Sequence, residues 1–292
     1  MSLSPSTQNC IINDEPMAMH TWFQLGGPAL HFAEPENTEQ LGELLAWAGG
    51  ENLPVKVLGS GSNILVRDEG IRALVVSLSH PHFQDIKVDG SGIIAGGGAK
   101  LGRVVTTAVH AGLGGMEELV AIPGTIGGAL RGNAGTTKND IGQWTKRVTV
   151  MTESGQIVDR LGEEILFNYR QSSIDEPIIL EAAFQLEEDD PRQLAKRMQK
   201  MWIIRKSKQP MGHQCAGCVF KNPTGLHAGE LIDDAGLKGT RIGGAVVSDR
   251  HANFIVAEAE CTSSDVLRLV DLIREQVDQR MGIELELEIE IW

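Results

Sequence analysis

Residues 57–66 read Val57-Leu58-Gly59-Ser60-Gly61-Ser62-Asn63-Ile64-Leu65-Val66. A short buried-strand pattern, LPVKVLG over 53–59, delivers the chain into a glycine-serine turn, and ILV at 64–66 carries it out again. Two glycines permit tight curvature. The amide N–H groups of such a turn can converge on an anion, and Ser60, Ser62 and Asn63 add side-chain donors. An ordinary β-turn reads equally well from this segment alone. The run is no P-loop, because no Lys-Ser/Thr follows at the required spacing. Nor does any segment give G-x-G-x-x-G after a strand, so the dinucleotide fingerprint of a doubly wound sheet is absent.

A second cluster, Ile122-Pro123-Gly124-Thr125-Ile126-Gly127-Gly128-Ala129-Leu130-Arg131-Gly132-Asn133-Ala134-Gly135, changes the balance. Two glycine-lined turns in one domain suit a ligand with two phosphates and a long body, such as a dinucleotide. The 34 glycines among 292 residues exceed the usual share of about 7% by roughly two-thirds.

The length implies one large domain or two to three small ones, at roughly 100–200 residues each. Hydrophobic residues make up 41% of the chain and charged residues 22%, so a sizeable core is available. The formal net charge of −13 argues against binding of nucleic acid or anionic membranes by bulk charge. No apolar run approaches the roughly 20 residues of a membrane helix, and no secretory pattern opens the chain. Four cysteines are no disulfide scaffold at this length. These features point to the cytoplasm.

Apolar spacing predicts helices over 38–48, 103–112 and 263–281, the last with Val266, Leu269, Val270, Ile273 and Val277 on one face and Gly282 at its end. VTVMT and SGQIV over 148–158 read as a hairpin around Ser154-Gly155. The acidic run Glu187–Asp190 shifts the composition, and Asp190-Pro191 opens a helix with Leu194, Met198, Met201 and Arg205 on one face. Ile283–Trp292 alternates apolar and Glu residues and is predicted as one strand. Without a steady βαβ rhythm, the fold class is α+β. Residues 1–15 are expected as a disordered lead-in, 16–187 as one domain with subdomains of about 16–80 and 81–187, and 188–292 as a second domain.

Cys215-Ala216-Gly217-Cys218 is a C-x-x-C near His213 and His227, but no second pair or H-x-x-x-H completes a zinc site, so no metal is expected. Tyr169, the only tyrosine, adjoins Arg170. The pair reads either as a packed strand end or as an anion grip, since a guanidinium forks well onto carboxylate or phosphate.

Together these segments resemble the UDP-N-acetylenolpyruvoylglucosamine reductase (MurB) family. The resemblance runs in order through TWFQLGGPA (21–29), VLGSGSNILV, IPGTIGGALRGNAG, NYRQSS, RKSKQP, GCVFKNP, LIDDAGLKGTRIGGAVVSDRHANFIV and GIELELEIEI, over nearly the whole chain. It implies an FAD-binding domain of the vanillyl-alcohol-oxidase (PCMH) type in two subdomains, followed by an α+β substrate domain, in the short form without an extra tyrosine loop. It also implies non-covalent FAD and NADPH as reductant. The substrate is then the enolpyruvyl UDP-N-acetylglucosamine, reduced to UDP-N-acetylmuramate for peptidoglycan, cell shape and cell division.

In the family, hydride passes from flavin N5 to substrate C3, an enolate develops and C2 is protonated. The matching positions here give Arg170 and Glu288 as stabilisers of the enolate and Cys218 as proton donor. Most members carry serine at the donor position; a thiol with an unperturbed pKa of about 8.5 is mostly protonated at pH 7 and is the stronger acid. Leu287 replaces a usual proline beside the glutamate, so Glu286 remains a rival. Gly59, Ser60, Gly61, Ser62 and Asn63 fall at the FAD pyrophosphate, with Gly124, Thr125, Gly128 and Gly135 as a second wall. Tyr169, Arg205, Lys221 and Asn222 fall toward the substrate. Two other readings remain open: an oxidase of the same fold, although its common flavin-linking histidine is missing from 59–63, and a non-catalytic nucleotide-binding regulator.

Overall fold

A computed structural model describes residues 3–136 and 139–292. The chain forms two compact units, Met1–Asp14 with Leu30–Ser60 and Arg72–Ile204, and Glu15–Ala29 with Gly61–Ile71 and Arg205–Trp292. No helix is long and apolar enough to cross a membrane among the described residues.

In the first unit a four-stranded sheet runs in the order Ile11–Pro16, Pro28–Ala33, Ile71–Ser77, Val55–Leu58, and the last two strands are parallel with Val55 opposite Leu74. The helix Thr38–Gly50 starts at Asn37, whose side chain accepts from the Gln40 amide. It buries Leu41, Leu44, Leu45 and Ala48, the one-sided stripe of a surface helix, against Leu74, Val76 and Ile178. A second, antiparallel sheet follows in the order Ile157–Leu161, Thr145–Met151, Ile178–Gln185, Gly92–Gly96, Ile86–Asp89. Leu101, Val104, Val105 and Val109 of the helix Leu101–His110 share its core with Ile93, Val148 and Ala182.

Two expectations are corrected here. The described part of the lead-in is ordered: Ser4 caps a helix Pro5–Asn9, its hydroxyl binds Glu43 at 2.7 Å, Thr7 is fully buried, and Ile11–Pro16 is a sheet-edge strand. Polar residues with no apolar period conceal such a segment. The boundary also moves, from 188 to between Ile204 and Arg205. The helix Pro191–Lys208 begins where expected, with Asp190 accepting from the Arg192 amide at 3.0 Å. Its Leu194, however, lies in the core of the first unit, and Arg197 pairs with Glu117 and Asp189. The charge shift at 187–190 marks a helix start inside a unit, not its end.

In the second unit the helix Ser263–Met281 is bounded as predicted, by a capping box of Thr262 and Asp265 and by Gly282 at φ +67°. Asp68 accepts from the amides of Ser263 and Ser264 at 2.9 and 3.2 Å, supplying two of the helix's orphan donors. A three-stranded sheet of Arg241–Ile242, Ala245–Val247 and Ile255–Ala257 completes the unit. The single strand expected over 283–292 is corrected to an extended segment with two partners. Leu287 bridges Phe220, whereas only Glu290–Ile291 is strand, parallel to Ile64–Leu65. The partner edge changes near Ile289, so neither ladder grows long, although Leu285 and Ile289 remain buried.

Candidate functional site

In the first unit the two glycine clusters meet at one hydroxyl. A Cβ on the exposed Gly59 would stand 2.7 Å from Thr125 Oγ1, and one on the exposed Gly128 would stand 3.6 Å from the same oxygen. Thr125 caps the short helix Ile126–Arg131 by accepting from the Gly128 amide. The Gly124 carbonyl accepts from the Leu101 amide at 3.1 Å, and the Gly127 amide donates to Gly97 at 2.8 Å. A third glycine run, Gly96–Gly98, thus underlies the second cluster. At Gly97 a Cβ would collide with the Ile179 carbonyl at 1.9 Å. The surface left along Gly59, Thr125 and Gly128 is bare backbone plus one hydroxyl, which fits a flat, doubly phosphorylated cofactor such as FAD.

Not every glycine of the clusters answers to a ligand. Gly61 is buried, at φ +63°, and its Cβ would lie 2.0 Å from the His20 carbonyl; its own carbonyl accepts from the Trp22 amide. Crossing backbone requires glycine there. Gly135 is buried against Asp140 and offers its carbonyl to Arg170 Nη1 at 3.2 Å. Ser60 and Ser62 are half-buried.

Tyr169 and Arg170 form the turn between the two-residue strands Phe167–Asn168 and Gln171–Ser172. Arg170 has φ +57°, a left-handed conformation costing on the order of 1–3 kcal/mol in a non-glycine residue. Buried Asn133, itself at φ +40°, donates from Nδ2 to the Asn168 carbonyl at 3.0 Å and accepts from the Gly142 amide at 3.1 Å. Ser172 donates to the Arg131 carbonyl, and the Arg131 guanidinium donates to the carbonyls of Ile174 and Glu176. These contacts over-determine the turn. The Arg170 guanidinium lies 5.3 Å from the centroid of the half-exposed Tyr169 ring, a cation–π distance.

In the second unit the structure brings Cys218, Lys221, Asn63 and Glu288 together. Gly217, at φ +70°, turns the chain into Cys218, and Val219–Lys221 then runs beside 286–288. The Glu288 amide donates to the Val219 carbonyl at 2.8 Å, and the Lys221 amide donates to Glu286 at 2.8 Å. Asn63 donates from Nδ2 to the Glu288 carbonyl at 3.1 Å, and its backbone carbonyl accepts from the Glu290 amide at 2.9 Å, so part of its polar capacity is structural. Lys221 Nζ pairs with Glu286 at 2.5 Å, and Asn222 Oδ1 accepts from the Ala228 amide. Arg205 is half-buried in the helix Pro191–Lys208. Glu286 is an exposed surface partner of Lys221, whereas Glu288 is half-buried.

Cys218 is half-buried and Cys215 buried. Burial pushes the thiols of Cys10 and Cys215 up, and burial with the nearby Asp265 and Asp68 carboxylates lifts that of Cys261 to about 11. Among the described residues no group of three His, Cys, Asp or Glu could hold a metal ion. Asn133 and Asn253 lie within quoted motifs, yet nothing in the sequence singles them out. Asn133 reaches the Asn168 carbonyl 35 residues away, and Asn253 reaches the Phe220 amide and carbonyl 33 residues away, separations that leave no local spacing to read.

The FAD binding domain family matches residues 29–160, and the family described as UDP-N-acetylenolpyruvoylglucosamine reductase, C-terminal domain, matches 209–292. UDP-N-acetylenolpyruvoylglucosamine reductase 2 of Symbiobacterium thermophilum is 43% identical over 95% of this chain and 91% of its own. The reductase of Moorella thermoacetica is 39% identical over 97% and 93%. The crystal structure of the Thermus caldophilus enzyme (MurB) superposes with a TM-score of 0.81 at 36% identity, covering 97% of this chain and 98% of that one. The fold is thus the α+β flavin-binding architecture with its second domain, and the chain belongs to the UDP-N-acetylenolpyruvoylglucosamine reductase family.

Proposed function

We propose that this chain reduces UDP-N-acetylenolpyruvoylglucosamine to UDP-N-acetylmuramate for peptidoglycan synthesis, using FAD without a covalent link and NADPH as reductant. The observation that carries the reading is the braced pair of segments bearing Cys218 and Glu288, tied by the Glu288 amide on the Val219 carbonyl. A thiol donor and a carboxylate on neighbouring backbones supply what protonation of an enolate needs.

Gly59, Ser60, Ser62, Asn63, Gly124, Thr125 and Gly128 would hold the cofactor, with amides and the Thr125 hydroxyl available to its phosphates; Gly61 and Gly135 act behind them, Gly61 by letting the chain cross His20 and Gly135 by fixing Arg170. Bound flavin supplies a hydride for C3 of the enolpyruvyl group. Arg170 forks onto the substrate carboxylate, where negative charge accumulates, and Tyr169 flanks it. Cys218 gives its proton to C2, and the thiolate recovers one from water, which a half-buried side chain can reach. Glu288 orients the enolate against Cys218. Lys221, Asn222 and Arg205 face the diphosphate and sugar, Lys221 by exchanging Glu286 for phosphate. The nucleotide substrate and NADPH place the reaction in the cytoplasm.

The test is direct. Purified protein is expected to be yellow, to bleach with NADPH under anaerobic conditions, and to recolour on addition of the enolpyruvyl nucleotide-sugar. Colourless protein that takes up no added FAD overturns the reading.

A further inference from the structure

We propose that Asn253 is a positioning residue for the proton-transfer step, acting through the backbone that carries Cys218; this rests on the function just given. Asn253 lies in the loop between the strands Ala245–Val247 and Ile255–Ala257 and is 2% exposed. Both ends of its amide serve one residue: Oδ1 accepts from the Phe220 amide at 2.9 Å, and Nδ2 donates to the Phe220 carbonyl at 2.8 Å. Its own carbonyl accepts from the Val219 amide at 2.9 Å. A single side chain therefore does the work of a missing neighbouring strand.

On the opposite edge, the same two residues are held by 286–288, through Glu288 on Val219 and the Phe220–Leu287 bridge. Val219–Phe220 is thus clamped from both sides. Cys218 directly precedes that clamp, and a cysteine has one torsion between backbone and sulfur, so the thiol goes where the backbone held at Val219 puts it. Glu288 hangs on the same Val219 carbonyl. Loss of the Asn253 side chain releases one edge and shifts donor and carboxylate together, while flavin reduction by NADPH needs neither. The loop is itself anchored, since His251 Nδ1 meets the Asn253 amide at 3.3 Å and the Phe254 amide donates to the His251 carbonyl.

The experiment uses the FAD-loaded protein with Asn253→Ala and Asn253→Asp, the second keeping the volume and the acceptor but losing the donor to Phe220. Anaerobic stopped-flow reads the two half-reactions separately. Reduction by NADPH is expected within about twofold of the parent, and reoxidation by the enolpyruvyl substrate about 100-fold slower, the scale of an ångström misplacement. Amide exchange over 218–221 should quicken in both variants, with that of the helix Ser263–Met281 unchanged. Where Asn253→Ala does not accumulate, Asn253→Asp gives the same split. Unchanged reoxidation, or both half-reactions falling in one proportion, overturns the proposal. A parent protein that is never reoxidised by this substrate counts instead against the function proposed above.

Discussion

The turn that presents Arg170 and the segment that presents Cys218 are secured in opposite ways. Arg170 sits in a strained left-handed turn, and the neighbouring Asn133 is left-handed too. Contacts from Asn133, Arg131 and Ser172 hold this turn against its strain. Cys218 instead follows a glycine into extended backbone that is clamped along both edges. The difference follows from the side chains. An arginine has several torsions between backbone and guanidinium, and its aim is set at the far end, by the Gly135 carbonyl. A cysteine has one torsion, so only a fixed backbone can fix its sulfur.

The largest effect should come from removing the thiol. Cys218→Ala is expected to slow flavin reoxidation by about 10²–10⁴-fold, the usual worth of a general acid, while NADPH still reduces the flavin; Cys218→Ser should stay within about tenfold of the parent. Equal loss of both half-reactions in Cys218→Ala would remove Cys218 from the donor role. Iodoacetamide tests the same point chemically. The other three thiols are pushed up by burial, Cys261 to about 11, and the thiolate is the nucleophile. Alkylation near pH 7.5 is expected to inactivate by blocking the proton-donor position at Cys218, and Cys218→Ser should resist it. Inactivation of that variant at the parental rate would show that another thiol matters.

Next in size is the loss of the Arg170 fork. Arg170→Lys should slow reoxidation by about 10–100-fold, because one ammonium cannot reproduce a bidentate contact. The contrast between the two regions sharpens at their buried asparagines. Asn133→Ala strands the Asn168 carbonyl and the Gly142 amide and should cost about 1–3 kcal/mol of stability, read by thermal unfolding. Its effect on reoxidation should be smaller than that of Asn253→Ala. The reverse ranking would mean that the Arg170 turn, not the Cys218 clamp, is the more exacting support.

What the sequence could tell depended on the range of the interactions. The helix Ser263–Met281 was readable to its ends, because its cap, its apolar period and Gly282 are all local. The glycine clusters were readable as clusters. Their individual reasons were not: Gly61 answers to His20 and Gly97 to Ile179, partners far away in sequence. The strict alternation of 283–292 was real, but a strand also needs a continuous partner edge, and Phe220 and Ile64–Leu65 are two separate ones. The unit boundary failed for a related reason. A run of acidic residues marks where a helix can start, whereas the buried Leu194 decides which core that helix joins.

The smallest effect separates two glutamates. Glu286 is 74% exposed and pairs with Lys221 at the surface, an arrangement worth about 0–1 kcal/mol. Glu286→Gln should therefore leave kcat/KM within about threefold and alter stability by less than about 1 kcal/mol. Glu288→Gln should slow reoxidation about 100-fold, the scale of losing one preorganised stabilising group. Both residues stand on the same stretch of extended chain, two positions apart, so they share composition, pattern and local charge. Burial and partners differ, with the exposed Glu286 side chain on Lys221 and the backbone of the half-buried Glu288 on Val219 and Asn63. If Glu286→Gln proved the damaging change, the carboxylate would move to the residue whose side chain already holds Lys221. The braced backbone at Glu288 would then be scaffold alone.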